Sequence, residues 1–235
     1  MDQRLLLEEL KGHDTPSITN VVATYPNSEL CLGLCHPWKG RWYTDQSLRC
    51  MYPELGRTAG FAVTVTYCEP DPGFTRLGFA DVCRAIEASP KPVVLIVKQN
   101  LPEEMKRKNG LCGGNMMTAF KALGTVGVIS DGPSRDIDEV RPLGLQYMLT
   151  GVCPGHGNFA VQEVNTPVDV CGMTVSPGDV VHMDENGAVR FPADKLEAVV
   201  CLCRKLQDWE QKKQKSLSEC RDAEEMARIM SDQYR

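Results

Sequence analysis

Two short apolar runs with a helix between them constrain this chain more than anything else in it. Val93-Val94-Leu95-Ile96-Val97, entered from Pro92, and Thr125-Val126-Gly127-Val128-Ile129-Ser130 are rich in β-branched residues and hold almost no polar side chain. Neither alternates between apolar and polar, so each reads as a strand buried on both faces. Between them, Gly113-Gly114 opens a helix expected over about 115–123, which Gly124 stops. Such strands need covering layers on either side.

The flanking pattern supplies the layers. Ala59 to Tyr67 reads as a strand, Gly78 to Ala88 as a helix, and Leu101 to Lys108 as a short polar helix or loop. Arg135 to Leu143 reads as a helical turn and Leu145 to Thr150 as another strand. From Val168 to Phe191 the pattern changes to short strands with turns at Cys171-Gly172, Ser176-Pro177-Gly178-Asp179 and Glu185-Asn186-Gly187, which are antiparallel hairpins. Helix–strand alternation followed by hairpins predicts an α/β fold in which helices back the sheet.

The ends are helical. Leu6, Leu7 and Leu10 form one stripe of an amphipathic cap, and Asp14-Thr15-Pro16-Ser17 starts a second helix that ends before Pro26. Ala193 to Tyr234 is expected to be helical, with a break near Ser216 and a polar second half. Residues 36–57 show no period and hold Trp38 and Trp42 among several basic residues. An aperiodic stretch of this length with aromatic anchors predicts either a subunit contact or a lid over a site.

Composition narrows the function classes. A net charge of −5 leaves no basic face for phosphates, which argues against a nucleic-acid-binding surface, and Lys212-Lys213-Gln214-Lys215 reads as a solvated helix face. No apolar run approaches membrane-spanning length, so no membrane partner is expected. The eleven cysteines are scattered and odd in number, and Cys83, Cys201 and Cys203 sit in apolar runs as small hydrophobes. With no secretory segment visible, the expectation is a cytoplasmic protein with reduced thiols. Cys31, Cys35 and His36, with Cys201 and Cys203, lack the paired spacing of a zinc knuckle.

The chemistry concentrates between residues 113 and 139. The Gly113-Gly114 turn leaves the first amides of the following helix, from Gly114 through Asn115 to Met116, facing outward, a place that holds carboxylate or phosphate. The strand at 125–130 ends in Asp131-Gly132, and ligands commonly bind at the carboxyl ends of strands in α/β sheets. Arg135 and Asp136 follow at once. A guanidinium suits a carboxylate, and an aspartate suits a hard divalent cation that keeps most of its waters. Helical spacing places Asp136 and Glu139 on neighbouring positions of one face, with Asp138 adding charge nearby. Taken alone, a Gly-Gly turn and an Arg-Asp pair each have plain structural uses. Lys121 is the one lysine of this unit and a Schiff-base candidate, though a helical lysine commonly snorkels to solvent. His156, in Pro154-Gly155-His156-Gly157, is either a general acid–base group or a surface loop histidine.

The run Gly113-Gly114-Asn115-Met116…Gly127-Val128…Asp131-Gly132…Arg135-Asp136-Ile137-Asp138-Glu139, with twenty residues between Gly114 and Arg135, resembles the family of the regulator of ribonuclease activity A and the 4-hydroxy-4-methyl-2-oxoglutarate aldolases. Pro177-Gly178-Asp179-Val180-Val181…Asp184…Gly187-Ala188-Val189 is similar to the family's closing β-segment, and the resemblance covers about residues 55–200. It implies a layered αββα sandwich of the swivelling β/β/α type, here a single domain over 1–200 with a helical C-terminal extension at 201–235. It implies a homotrimer or hexamer with sites between subunits. Gly113 would shape the turn, and the amides of Gly114, Asn115 and Met116 would hold the carboxylate of a small 2-oxo acid. Arg135 would bind substrate and meet the developing enolate, and Asp136 would anchor Mg2+ or Mn2+. Oxaloacetate decarboxylation and retro-aldol cleavage both pass through pyruvate enolate, so one site serves either. Aldolases of the family often carry an acid where this chain has Gly114. The alternative the resemblance implies is a non-catalytic, protein-binding regulator of an RNA-degrading enzyme.

Overall fold

The computed structural model describes residues 2–24, 29–74 and 76–231. The chain divides into two compact units, residues 1–40 with 194–235, and residues 41–193.

The first unit is helical. Helix α1 (Gln3–Leu10) buries Leu6, Leu7 and Leu10, and α2 (Thr15–Val22) buries Ile18, Val21 and Val22. Asp14 caps α2 by accepting from the Ser17 amide at 2.8 Å, with Pro16 in the first turn, as the sequence predicts. Both helices pack on α7 (Leu196–Glu219), which buries Leu196, Val199, Val200, Cys203 and Leu206. Glu9 and Arg204 pair across this contact. The helix does not break at Ser216. It ends at Cys220, and α8 (Ala223–Ser231) follows with no buried residue. Helix α2 ends at Val22, before Pro26 as expected, and the helical expectation at Tyr234 lies outside the described residues.

The second unit is built on an eight-stranded sheet. Its strands are β1 (Arg49–Cys50), β2 (Thr58–Cys68), β3 (Val93–Asn100), β4 (Thr125–Ser130), β5 (Gln146–Leu149), β6 (Ala160–Val164), β9 (Val180–Asp184) and β10 (Gly187–Phe191). The order is β1-β5-β4-β3-β2-β9-β10, and β6 also pairs β2. Strands β2 to β5 run parallel, so their carboxyl ends share one edge, while β1, β6 and β9 lie antiparallel to their partners. The long β2 serves two neighbours: Thr58–Phe61 pair β9, and Val65–Cys68 pair β6 across a register shift at Thr66/Tyr67. Strands β7 (Val168–Val170) and β8 (Met173–Val175) form a separate hairpin.

The two faces of the sheet carry two cores. Val63 and Val65 of β2, Leu95 and Val97 of β3, and Val128 of β4 meet Val82 and Ile86 of α3 (Phe79–Ala88) and Met117 and Phe120 of α5 (Gly114–Ala122). The alternate residues Ala62, Val94, Ile96 and Ile129 meet Val168, Val170, Met173 and Val175 of the hairpin. Burial on both faces is why β3 and β4 show no alternation in sequence. The molecule is the layered α/β protein that the alternation predicts, with a long C-terminal helix.

Much of the segment 36–57, expected to be a lid or subunit contact, is built into the fold of its own chain. Trp38 is exposed, but Trp42, Leu48 and Tyr52 are buried in their own chain. Hydrogen bonds from Thr44 to Ala188 and from Arg190 to Trp42 lay residues 42–44 along β10, and β1 pairs β5. The segment closes both edges of the sheet. The contacts that seat it on the sheet are distant in sequence, which is why it shows no local period.

Candidate active site

Two loops build the candidate site at the carboxyl edge of the parallel strands. One runs from Leu111 into α5, and the other from β4 through Ser134 into α6 (Ile137–Val140). Three hydroxyls lash them together. Ser134 Oγ donates to the Cys112 carbonyl at 3.2 Å, Tyr147 OH donates to the same carbonyl at 2.7 Å and meets Ser134 Oγ, and Tyr52 OH donates to the Ile137 carbonyl at 2.6 Å. Burial pushes the Tyr147 phenol well above its ordinary range and the Tyr52 phenol up to about 12, so both remain donors at any ordinary pH. Arg141 lies over the Tyr52 ring, 4.7 Å from its centroid. None of these residues is marked by a local motif, because their partners lie far along the chain.

Asp136 is the hinge of the arrangement. Its backbone adopts the left-handed conformation, φ 58° and ψ 37°, uncommon for a residue with a side chain. That turn aims its carboxylate at the start of α5, where Oδ2 accepts from the Gly114 amide at 3.0 Å and lies 3.5 Å from Arg135 Nε. The structure thus brings Gly113, Gly114, Arg135 and Asp136 together. One detail differs from the expectation of three outward amides: Gly114 N–H is taken by Asp136. The amides of Asn115 and Met116 have no acceptor among the described residues and remain turned outward at the helix N-terminus.

Neighbouring side chains approach both glycines closely. A Cβ on Gly113 would strike the Asp136 carboxylate and come within 3.1 Å of Arg135 Nε. A Cβ on Gly114 would meet Glu139 Oε2, which occupies the space a side chain at 114 would fill. The helical spacing that pairs Asp136 with Glu139 therefore delivers a second carboxylate to the same corner, with the Glu139 amide bonded to the Asp136 carbonyl at 3.0 Å. Asp138 is exposed.

Other candidates lie elsewhere. Asp131 turns to the opposite face of the sheet, where it meets Lys98 and Lys106. Lys121 is exposed on α5, and His156 is exposed in its loop with Nδ1 2.9 Å from the Gly157 carbonyl. None of the eleven cysteines is in a disulfide. No helix among the described residues is long and apolar enough to cross a membrane.

Two carboxylates of this corner could contribute to a site for a hard divalent cation. Asp136 and Glu139 offer carboxylate oxygens, and no group of three or more His, Cys, Asp or Glu side chains suited to a metal occurs among the described residues. A site with one or two carboxylates leaves most of the shell to water and substrate, which suits Mg2+ or Mn2+ better than zinc.

A layered α/β domain with an Arg-Asp corner facing a glycine-opened helix defines the class. The model of the RraA-like family, described as Aldolase/RraA, matches residues 28–190, and the chain belongs to that family. An uncharacterized protein of Methanocaldococcus jannaschii is 29% identical over 110 residues, 46% of this chain and 53% of that protein. A 4-hydroxy-4-methyl-2-oxoglutarate aldolase of Thermus thermophilus is 32% identical over 87 residues, 36% of this chain and 52% of the aldolase. The chain thus spans about half the length of these curated relatives. Among solved structures, an uncharacterized protein from Pseudomonas syringae superposes with a TM-score of 0.73 at 21% identity, covering 95% of this chain and 93% of that one. Streptomyces coelicolor RraAS2, described as an unusual member of the RNase ES inhibitor RraA protein family, gives 0.66 at 21% identity, covering 89% and 96%. At these identities the structural likeness is one of fold.

Proposed function

We propose that this chain is a lyase that cleaves a carbon–carbon bond in a small 2-oxo acid and releases pyruvate through its enolate. The substrate is 4-hydroxy-4-methyl-2-oxoglutarate, cleaved as an aldol, or oxaloacetate, decarboxylated. The observation that carries this reading is the convergence of Arg135, Asp136 and Glu139 on the glycine-opened start of α5. The amides of Asn115 and Met116 hold the substrate carboxylate at the positive end of the helix. Asp136 would hold Mg2+ or Mn2+, with Glu139 accepting from its waters. When bound, that cation supplies Lewis-acid polarisation of the 2-oxo group.

The chain's own residues do the rest. Breaking the C3–C4 bond leaves its electron pair on C3, from where it delocalises onto the C2 oxygen. Carbon dioxide departs in the decarboxylation. In the retro-aldol, C4 becomes a carbonyl as its hydroxyl gives its proton to water, and in both reactions the enolate takes a proton from water at C3 to give pyruvate. Arg135 places a guanidinium at the edge of this corner, where it stabilises negative charge on the C2 oxygen. The Tyr52, Tyr147 and Ser134 bonds hold the corner rigid, so that little reorganisation accompanies the charge shift. The assembly is proposed to be a homotrimer or hexamer.

The test is pyruvate release from each substrate with Mg2+ or Mn2+, and again with a chelator present. Asp136→Ala and Arg135→Ala should each reduce kcat/KM by about a hundredfold or more. Equal, metal-independent rates in wild type and Asp136→Ala would sink the proposal. One observation favours a second reading: position 114 carries no acid, and its amide is already bonded within the chain. If neither substrate yields pyruvate, a protein-binding regulator of an RNA-degrading enzyme is the better account.

A further inference from the structure

We propose that the opposite face of the sheet carries a second site, a cleft that binds the phosphate group of a small phosphorylated molecule through Lys98 and Lys106. The placement follows from strand parity. Val94 and Ile96 of β3 face the β7–β8 hairpin, and Lys98 is the next residue on that face. Ile129 of β4 faces the same way, and Asp131 continues its row. Lys106 reaches the same point from α4 (Glu103–Lys106). Arg135 and Asp136 belong to the other face, so this cleft is separate from the proposed lyase site.

The charges there do not balance. Asp131, its side chain 5% exposed, accepts from the Gln99 amide on Oδ1 at 2.7 Å. Its Oδ2 receives both Lys98 Nζ at 2.7 Å and Lys106 Nζ at 2.6 Å. One lysine would neutralise the carboxylate, and the second is surplus. The Lys106 side chain is 15% exposed and that of Lys98 31%, so two ammoniums partly withdrawn from water share one carboxylate. Burying an uncompensated charge is costly, and a bound anion removes the cost. The remaining charged groups of the cleft cancel: Arg41 pairs with Asp169 at 3.1 Å, and Arg107 with Glu103 at 3.0 Å. These two guanidiniums are exposed and can exchange their carboxylates for a ligand.

The chemistry of the donors selects the anion. Two ammonium groups from different elements converge on one oxygen as point charges, which suits a tetrahedral dianion, whereas a planar carboxylate is better matched by a guanidinium fork. The cleft measures about 580 Å³ and is also lined by Ser47, Thr150 and Cys171. That volume lies in the range of small-molecule sites and leaves room for an organic portion beside the phosphate.

Calorimetric titration of the full chain with inorganic phosphate at neutral pH and low salt tests the site. Saturable binding is expected. Lys98→Gln, at a residue on the strand end, should weaken it about tenfold, and Asp131→Asn, which removes the competing carboxylate, should tighten it. Arg135→Ala should leave phosphate affinity unchanged, which separates this site from the lyase corner. Should Asp131→Asn fail to unfold cooperatively, Lys106→Gln replaces it and is expected to weaken binding as Lys98→Gln does. No saturable heat with phosphate, equal heat with acetate, or an unaltered affinity in Lys98→Gln overturns the proposal.

Discussion

At position 114 a missing side chain and a present one share a single volume. Glu139 Oε2 lies where a Gly114 Cβ would stand, and the obstacle is the free end of a flexible chain. Gly114→Ala should therefore leave stability within about 0.5 kcal/mol of wild type, because Glu139 can swing away. Pyruvate release should fall nonetheless, since the second carboxylate leaves the corner, and Glu139→Ala should lower the rate to a similar degree. Thermal unfolding and a pyruvate assay on the same samples check the pair: a large stability loss in Gly114→Ala, or an unaltered rate in both variants, refutes the shared-volume argument. Asp179 offers a pH prediction at the same scale. It is buried, accepts from the Ser176 amide at 3.0 Å and lies 3.8 Å from Arg190, and burial raises its pKa above the ordinary 3.8. A carboxyl raised in the folded state contributes stability while protonated and loses it as pH climbs through the folded pKa. Asp179→Asn should thus gain stability relative to wild type as pH climbs above the ordinary 3.8, read from urea midpoints at a series of pH values. The corner itself was legible in the sequence because Gly113-Gly114 and Arg135-Asp136 are local pairs whose chemistry is written in residue type. Asp131 was read toward the same site, and strand parity sends it to the other face. Ser134, Tyr52 and Tyr147 were missed because a structural hydroxyl carries no signal until its distant carbonyl is known.

Among the elements, the pairing of β2 with β3 sets the tightest limit. At Gly60 an added Cβ would stand 2.7 Å from the Pro92 carbonyl oxygen, and backbone cannot move aside as a side-chain tip can. Gly60→Ala should cost about 1–3 kcal/mol, seen as a lower urea midpoint at unchanged m-value, and a neutral result would mean that β2 and β3 can part without cost. The core elements were legible for a physical reason. Strands β3 and β4 are buried on both faces and read as unbroken apolar runs, and α3 and α5 begin at Gly78 and Gly113. The hairpins β7–β8 and β9–β10 were marked by Cys171-Gly172 and by Asn186-Gly187, with Cys171, Gly172 and Gly187 all at positive φ. Strand β6 escaped notice because its exposed Gln162 and Glu163 interrupt the pattern, and only pairing with β2 makes it a strand. Residues 42–52 escaped for the same reason, since their partners are β10 and β5. The late break in α7 was misplaced because Ser216 satisfies its hydroxyl on the Lys212 carbonyl and stays helical.

At the scale of the molecule, the exposed apolar side chains of unit 2 bear on assembly. Phe74 is 85% exposed, and Leu77 and Phe79 nearby are 38% and 42% exposed, three apolar side chains at the entry to α3. Exposed apolar side chains grouped in this way are a candidate interaction surface. If the proposed trimer or pair of trimers forms, this group is a candidate for the contact, and closed symmetry repeats that contact at every subunit boundary. Sedimentation velocity should then give three or six times the 26.0 kDa chain mass. Phe74→Asp should shift the species toward monomer, because one aromatic anchor can carry a large share of an interface's energy. Circular dichroism should remain that of wild type, since Phe74 is largely solvent-exposed and its loss leaves the core intact. A wild-type chain that sediments as a monomer at every concentration would refute the assembly. An oligomer indifferent to Phe74→Asp would place the contact elsewhere. A monomeric Phe74→Asp that still releases pyruvate at the wild-type rate would show that the Arg135–Asp136 corner is complete within one chain.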